Sequence, residues 1–418
     1  MSVHLSRISD LTLNTSLATA QMVNSEKCLR IVVSLAITFC ATCDHARCLE
    51  AMEQIKGLGY PLKTYQIWTV DKYRLGLERI PYGKHGYGVI GAPVLLLHGL
   101  YLSSAIFAIN NSSLSFVLSD AGFDVWLFNA RGAGLSRKLS IYKTPRSRPK
   151  MNRISWDFSF HEMGVYDMTA AVDFILKTTG YSKLDVVGYS LGTTIALACL
   201  TDKPEYNSKI NKLVLMAPTS RLKSAGPPIN IFKQFSKIVT VLLGGFDFFP
   251  YTEDPDTTYR LIRRLCSNKS VFRYCKTFID LAHGIDLPIT KDTVLEIASE
   301  FPQPMSSKLL KHMLQLLTSG RFCHYDYGPS GNLKRYHTIT TPDYDLSKVT
   351  APTYIVHSKN DTLVSPKDVK WLITQLPNVK DVNYIDKIPF GHLSFSLGTN
   401  MKEVVNSYIA NKLLDNDL

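Results

Sequence analysis

Residues 184–200 read LDVVGYSLGTTIALACL, and this segment carries the strongest indication of the fold. A short apolar run, LDVV, leads into GYSLG at residues 188–192, and an apolar helical pattern, TTIALACL, follows. A G-x-S-x-G between a strand and a helix is the pattern of a nucleophile elbow. The two glycines are needed because side chains there would clash where the strand meets the helix. The turn therefore holds the Ser190 hydroxyl at the sheet edge, beside a helix N-terminus whose dipole favours developing negative charge.

Further apolar runs on both sides of this segment predict a sheet. They are nearly continuous, as in parallel strands that are buried on both faces. Between two of them, residues 162–178 carry apolar side chains at helical spacing, and Gly180 ends that pattern. The alternation predicts an α/β fold with a mostly parallel sheet and crossover helices on both faces. The runs are residues 93–98, 123–129, 184–188, 212–217 and 352–357.

Residues 219–341 break this rhythm. They are rich in aromatic residues, basic residues and proline, without strand–helix alternation. We expect a mainly helical insertion between two strands that caps the carboxyl edge of the sheet above Ser190. Aromatic residues beside Gly244 and Gly245 favour a lid that makes transient contact with a lipid surface. The alternative is that these aromatic residues pack inward and only stabilise the cap.

A serine hydroxyl is a weak nucleophile and needs a base within hydrogen-bond reach. After such an elbow, the chain order of the partners is acid and then histidine. His392 is the candidate base because it follows Phe390 and Gly391, where the last strand is expected to end. His357 falls inside a predicted strand and competes less well, as do three histidines of the insertion: His312, His324 and His337.

Asp361 is the candidate acid. It follows the 352–357 run within the turn KNDT, where a carboxylate could hold the imidazole in one tautomer and stabilise the imidazolium. Asp343, Asp345 and Asp386 are alternatives, but none comes immediately after a strong predicted strand.

Acyl transfer also needs hydrogen-bond donors aimed at the tetrahedral oxygen. The backbone N–H of Leu191, directly after the nucleophile, is one candidate. The second donor comes from the loop after the first strong strand, here LHGL at residues 97–100. We select the Leu100 N–H for this role, with His98 and Gly99 shaping the turn.

The N-terminal region predicts a signal peptide at about residues 1–43. An apolar run, IVVSLAITF at residues 31–39, follows Lys27 and Arg30 and ends in small residues. The run is too short to span a membrane. Cleavage is expected near Cys43, with Ala46 as another candidate, and the alternative is a buried core helix. The predicted mature chain is a core of residues 44–218 and 342–418 with the 219–341 insertion, and its destination is secreted or lysosomal.

Eight cysteines are present, and a folded chain in an oxidising compartment would bridge some of them. Cys266 and Cys275 are the closest pair beyond the signal segment, and we expect a disulfide there. Cys199 lies in an apolar helical pattern and is expected to be a buried small hydrophobe. Sequons make three asparagines glycosylation candidates: Asn110, Asn111 and Asn268.

Charge and motif content exclude several functions. The formal net charge is +12, but the basic residues are scattered, so nucleic-acid binding is disfavoured and a face towards anionic lipid is favoured. GAGLS at residues 132–136 lacks the third glycine of a dinucleotide fingerprint. His161-Glu162 lacks the second histidine of H-E-x-x-H. The sequence therefore predicts no cofactor and no metal.

Taken together, these motifs resemble the acid lipase family of α/β-hydrolases, which includes gastric and lysosomal acid lipases. The likeness runs through nearly the whole predicted mature chain. One departure is that Tyr189 and Leu191 flank the serine, where the family usually has His and Gln. The motifs that carry the likeness to the family include residues 59–61, 79–83, 97–100, 120–127, 129–132, 156–160, 173–176, 325–328 and 345–346.

The resemblance implies a lipase that hydrolyses ester bonds of neutral lipids, with a triad of Ser190, Asp361 and His392. It also implies a helical cap whose disulfide falls on Cys266 and Cys275. Two alternatives remain: an esterase for smaller soluble esters, and a non-catalytic lipid-binding protein on the same fold. A cap of about 120 residues favours long apolar chains, and a complete triad favours catalysis.

Overall fold

The structure is a computed structural model of the chain. The predicted signal segment, with Cys28, Cys40 and Cys43, lies outside the described residues, as does Cys48. The structure describes residues 55–86, 88, 90–141, 156–226, 229–245, 247–249, 255–283 and 287–415.

Ten strands are found in these ranges. They are β1 Lys63–Trp68, β2 Arg74–Ile80, β3 Pro93–Leu97, β4 Asp124–Phe128, β5 Leu184–Tyr189, β6 Ile210–Met216, β7 Phe248–Phe249, β8 Met305–Ser306, β9 Thr353–Ser358 and β10 Val379–Ile385. Eight form one sheet in the order β1-β2-β4-β3-β5-β6-β9-β10, and β7 pairs with β8 separately. The sheet is parallel from β4 to β10, whereas β1 and β2 are antiparallel to their neighbours. The predicted mostly parallel sheet is confirmed.

Helices lie between most of the later strands. They are α1 Leu114–Asp120, α2 Gly134–Ile141, α3 Phe160–Glu162, α4 Thr169–Thr179, α5 Leu191–Asp202, α6 Ile229–Gln234, α7 Ser236–Gly244, α8 Pro255–Ser267, α9 Lys269–His283, α10 Lys291–Glu300, α11 Ser307–Ser319, α12 Gly328–Tyr336, α13 Pro366–Gln375, α14 Ser394–Leu397 and α15 Ser407–Leu414. A π-helical stretch, Met163–Met168, joins α3 to α4, and another, Lys402–Asn406, precedes α15. None of the described helices is both long and apolar enough to cross a membrane.

Helices cover both faces of the sheet, as predicted. Alternate side chains of β3 enter two different cores, because successive residues of a strand point to opposite faces. Leu95 and Leu97 pack in a core that includes α5 and α13. Val94 and Leu96 pack in a second core that includes α1 and α15. Burial on both faces explains why β3 reads as an unbroken apolar run.

The first two strands of the sheet are absent from the sequence-based prediction. β1 lies at the sheet edge, and its residues are exposed or half-buried except for Ile67. Its sequence therefore carries little apolar signal. β2 is almost fully buried, but it includes the charged residues Glu78 and Arg79. Arg79 forms a two-point ion pair with Asp124 at 2.7 and 2.9 Å, which satisfies its charge inside the fold.

The segment between β6 and β9 is mainly helical, as predicted, and also contains the β7–β8 pair. Cys266 and Cys275 form a disulfide that joins α8 to α9, with Cα atoms 5.9 Å apart. Cys199 is buried and free, as expected, and so is Cys323. Asn111 and Asn268 are exposed and Asn110 is half-buried, so glycosylation at these sites stays a prediction.

Candidate active site

Three side chains from the ends of three strands meet at the carboxyl edge of the sheet. The His392 Nε2 lies 2.8 Å from the Ser190 Oγ, and its Nδ1 lies 2.8 Å from the Asp361 Oδ2. This pattern fits an imidazole whose Nδ1–H donates to the carboxylate and whose Nε2 accepts from the serine hydroxyl. His392 and Asp361 are almost fully buried, whereas Ser190 is half-buried and therefore accessible.

Ser190 occupies a strained turn between β5 and α5. Its φ of 53° and ψ of −117° lie where non-glycine residues are rare. A Cβ on Gly188 would come within 2.8 Å of the Gly192 backbone, and one on Gly192 would come within 2.1 Å of the Leu97 carbonyl oxygen. Side chains are therefore excluded at both flanking positions, and the turn aims the serine out of the sheet at the start of α5.

Asp361 is held by the turn that follows β9. Its Oδ1 accepts hydrogen bonds from the Leu363 and Val364 N–H groups at 2.9 and 2.8 Å. The two backbone donors fix the carboxylate and leave Oδ2 for the imidazole. The sequence placed Asp361 after the strand but gave no sign of these donors.

The alternative acids have other surroundings. Asp343 pairs with Arg321 at 2.9 Å, and Asp345 accepts from the Ser347 hydroxyl at 2.5 Å. Asp386 is exposed in the turn after β10. Of the candidate acids, only Asp361 contacts His392.

The two candidate oxyanion donors flank the serine. Leu191 is the first residue of α5, and Leu100 lies in the turn after β3. Within the described part of the chain, neither backbone N–H donates to a protein acceptor. A Cβ on Gly99 would lie 3.3 Å from the Ser190 Cβ, so the glycine lets this turn approach the serine closely. Both N–H groups are thus available beside the hydroxyl.

His98 ties the turn after β3 to the loop after β4. Its Nδ1 donates to the Gly99 carbonyl at 2.9 Å, and its Nε2 accepts from the Ala130 N–H at 3.2 Å. Burial lowers the pKa of His98 to about 4, so the ring is neutral and keeps both hydrogen bonds at neutral pH. His98 therefore positions the oxyanion turn and has no contact with the triad that would make it a base.

Tyr189 contributes a contact that sequence reasoning missed. Its hydroxyl donates to the backbone carbonyl of His392 at 3.0 Å, and the two rings stack with centroids 5.6 Å apart. The elbow thereby holds the histidine loop directly. In the sequence, the only signal at Tyr189 was that the family usually has His at this position.

A buried carboxyl group lies beneath the segment that follows the oxyanion turn. Glu78 of β2 accepts a hydrogen bond of 2.5 Å from the Ser104 hydroxyl. The Ser104 N–H in turn donates to the Asn129 Oδ1 at 3.2 Å. Burial raises the pKa of Glu78 to about 7, although the bond from Ser104 opposes that shift.

We expect Glu78→Gln to remove a pH dependence of stability. The folded pKa, about 7, exceeds the ordinary value of 4.5, so the Glu78 contribution is complete below pH 4.5 and is lost as pH rises through 7. Relative to Glu78→Gln, the free energy of unfolding of the wild type should fall by roughly 3 kcal/mol between pH 4.5 and pH 8. Urea unfolding of both proteins at the two pH values measures this, with the exposed Glu205→Gln as control. A wild-type to Glu78→Gln difference that does not change with pH contradicts it.

Comparison with known proteins supports the same fold and family. A family model described as alpha/beta hydrolase fold matches residues 92–399, and one described as partial alpha/beta-hydrolase lipase region matches residues 51–111. The chain is 34% identical to gastric triacylglycerol lipase of Mus musculus, over 83% of this chain and 87% of that protein. It is 35% identical to lipase member K of Homo sapiens, over 83% and 86%.

More distant relatives extend this pattern. Lipase 1 of Drosophila melanogaster is 32% identical, over 85% of this chain and 78% of that protein. A solved structure of a soluble variant of monoglyceride lipase from Saccharomyces cerevisiae aligns with a TM-score of 0.50 at 17% identity, over 85% of this chain and 94% of that chain. At that identity the match concerns the fold alone. The chain thus belongs to the acid lipase family, a family of carboxylic ester hydrolases on the α/β-hydrolase fold.

Proposed function

We propose that this chain hydrolyses ester bonds of neutral lipids through an acyl-enzyme formed on Ser190. The observation that carries the proposal is the continuous chain of hydrogen bonds from the Ser190 hydroxyl through His392 to Asp361, with 2.8 Å at each step. A nucleophile, a base and an orienting acid in this arrangement perform acyl transfer on several unrelated folds.

The reaction follows from this geometry in two halves. The Ser190 Oγ attacks the ester carbonyl carbon while the His392 Nε2 takes its proton, and the Leu100 and Leu191 N–H groups stabilise the oxyanion. The tetrahedral intermediate then breaks its bond to the alkoxy oxygen, which leaves as an alcohol with the proton from His392. Water enters, His392 takes one of its protons, and the water oxygen bonds to the acyl carbon. The bond from that carbon to the Ser190 Oγ then breaks, the fatty acid leaves, and His392 returns the proton to Ser190.

A small pocket lined mainly by apolar side chains lies near the site and supports an apolar substrate. It lies between the 3₁₀ turn Ser104–Ala108 and α10. Leu102, which lines it, and Ser190 both border Gly99, because a Cβ on Gly99 would be 3.1 Å from Leu102 Cδ1 and 3.3 Å from Ser190 Cβ. The mouse relative is named a triacylglycerol lipase, and we propose triacylglycerol or cholesteryl esters as substrates here.

We keep residues 219–341 as a proposed cap that touches the lipid surface through α7. Val239 of this helix packs inward against a small apolar cluster that includes Leu314 and Leu317 of α11. Val241 and Leu242 of α7 are exposed at 75% and 63%, and Ile238 and Phe235, which directly precedes the helix, are also more than half exposed. An exposed apolar face of this kind suits insertion into a lipid interface.

Val241→Glu together with Leu242→Glu should lower activity on emulsified long-chain esters by about tenfold and leave a soluble short-chain ester unaffected, because only the interface contact is lost. Initial rates on both substrates measure this. Val70→Glu is the matched control, since Val70 is 83% exposed in the turn after β1. Equal rates of the double variant and the wild type on the emulsion would argue against this contact.

A panel of esters tests the proposed function against its two alternatives. Purified protein and Ser190→Ala are compared on emulsified triacylglycerol, dispersed cholesteryl ester and a soluble short-chain ester. A lipase hydrolyses the dispersed long-chain esters and loses that activity in the variant. Activity on the soluble ester alone would indicate an esterase, and wild-type inactivity on every ester would indicate a binding protein.

We also propose a secreted or lysosomal destination. The Cys266–Cys275 disulfide supports it, because disulfides persist in oxidising compartments. N-terminal sequencing of the mature protein would test the predicted cleavage near Cys43. A mature protein that begins at Met1 would contradict it.

A further inference from the structure

Two histidines that are far apart in sequence converge on one carboxylate oxygen at the end of α5. The His324 Nε2 lies 3.1 Å from the Asp202 Oδ2, and the His161 Nδ1 lies 3.4 Å from the same oxygen. The ligand atoms of the three residues all lie within 4.8 Å of one another. The Tyr344 hydroxyl adds an oxygen at 3.1 Å from the His161 Nδ1. One imidazole would be enough for a structural hydrogen bond to this carboxylate oxygen, and here two imidazoles approach it.

These separations fit the coordination shell of a small divalent cation. Imidazole nitrogen and carboxylate oxygen bind Zn²⁺ at about 2.0–2.2 Å, so neighbouring donors of a tetrahedral site lie about 3.3 Å apart. The two distances from the Asp202 oxygen agree with that value. A donor set of two histidines and one carboxylate binds transition metals in preference to Mg²⁺ or Ca²⁺, which favour oxygen ligands alone.

The position of the cluster also favours a cation. Asp202 is the last residue of α5, and the C-terminal end of a helix carries partial negative charge. The side chains of His161, Asp202 and His324 are 34%, 27% and 14% exposed, so an ion can reach them from solvent. Partial exposure also leaves room for water to complete the coordination.

We propose that His161, Asp202 and His324 form a binding site for Zn²⁺ or a similar divalent transition metal, with water in the open position. The ligands come from three parts of the fold: α3, the end of α5, and the chain between α11 and α12. The metal would thus connect the chain between α11 and α12, which belongs to the β6–β9 segment, to α3 and α5 beside the sheet. The H-E-x-x-H pattern cannot detect such a site, because its ligands are not adjacent in sequence.

The site is remote from the nucleophile, which makes its test independent of catalysis. Asp202 and Ser190 lie at opposite ends of α5, a helix of 12 residues, or about 18 Å at 1.5 Å per residue. We therefore expect Ser190→Ala to bind the metal as the unmodified protein does. Failure of the proposed lipase activity would leave this result unaffected.

Calorimetric titration of the full mature chain, without a histidine tag, with Zn²⁺ tests the proposal. We expect one ion per chain, and a melting temperature about 4 °C higher when free Zn²⁺ is 100 times Kd. His324→Gln should weaken binding by roughly 100-fold because one of three donors is lost. Asp202→Asn should weaken it similarly and gives a second variant if His324→Gln folds poorly.

His337→Asn is the matched control. His337 is an exposed histidine in the left-handed conformation at the end of α12, which asparagine also tolerates, and it lies outside the cluster. This variant should bind Zn²⁺ as tightly as the unmodified chain. The proposal is overturned if the unmodified chain binds no Zn²⁺, or if His324→Gln and Asp202→Asn bind it as tightly as His337→Asn does.

Discussion

Ser190→Ala is expected to lower kcat for ester hydrolysis by about 10⁴-fold or more while the fold stays intact. The substitution removes only the hydroxyl that His392 contacts at 2.8 Å. Loss of the nucleophile from a triad has effects of this size because the remaining groups have nothing to activate. The strained backbone at φ 53° imposes the same constraint on alanine as on serine, so stability should change little. Steady-state kinetics and a thermal melt measure the two quantities.

Ser208→Ala is the control for this experiment. Ser208 is exposed near the end of the chain segment that follows α5, and its hydroxyl only donates to the Glu205 carbonyl. Its removal should leave kcat within twofold of the wild type, on the order expected of a neutral surface change. If Ser190→Ala kept most of the wild-type activity, Ser190 would not be the nucleophile.

Asp361→Asn is expected to lower kcat by about 10⁴-fold through the wrong imidazole tautomer. The Leu363 and Val364 N–H groups need an acceptor, so the asparagine oxygen should take the place of Oδ1. Its NH₂ group then faces the His392 Nδ1, which can no longer donate and must carry its proton on Nε2 instead. An Nε2 that bears a proton cannot accept the one from Ser190.

Asp386→Asn is the matched control, because Asp386 is an exposed aspartate in a turn and was itself a sequence-based alternative for the acid. It should retain wild-type kcat on the same ester. NMR of the His392 ring nitrogens gives a second measurement, in which the proton should move from Nδ1 to Nε2 in Asp361→Asn. A variant with unchanged kcat would show that another group orients His392.

The sequence predicted those parts of the fold whose signal is local. β3, β4, β5, β6 and β9 are apolar runs because both faces of the central sheet are covered, and each was predicted to within about two residues of its observed ends. The elbow is equally local, since the glycines at positions 188 and 192 are required by contacts within a few residues and with β3. The order of Asp361 and His392 followed from the elbow.

Contacts between distant parts of the chain were not predictable in this way. The hydroxyl of Ser104 on Glu78, and the Tyr189 hydroxyl on the His392 carbonyl, join residues that no spacing rule connects. Glu78 lies in β2, which was not predicted because charged residues interrupt its apolar pattern. The convergence of His161 and His324 on Asp202 needed the fold itself, because α3 and the end of α5 meet only once packed.

Covalent labelling tests most directly whether Ser190 is an activated nucleophile. The purified chain is treated with an excess of a fluorophosphonate, which phosphonylates an activated serine and releases fluoride, and the digest is examined by mass spectrometry. We expect one label per chain, on Ser190, with loss of esterase activity in proportion to labelling and no label in Ser190→Ala. A label on another residue, or full labelling of Ser190 with ester hydrolysis undiminished, would contradict it.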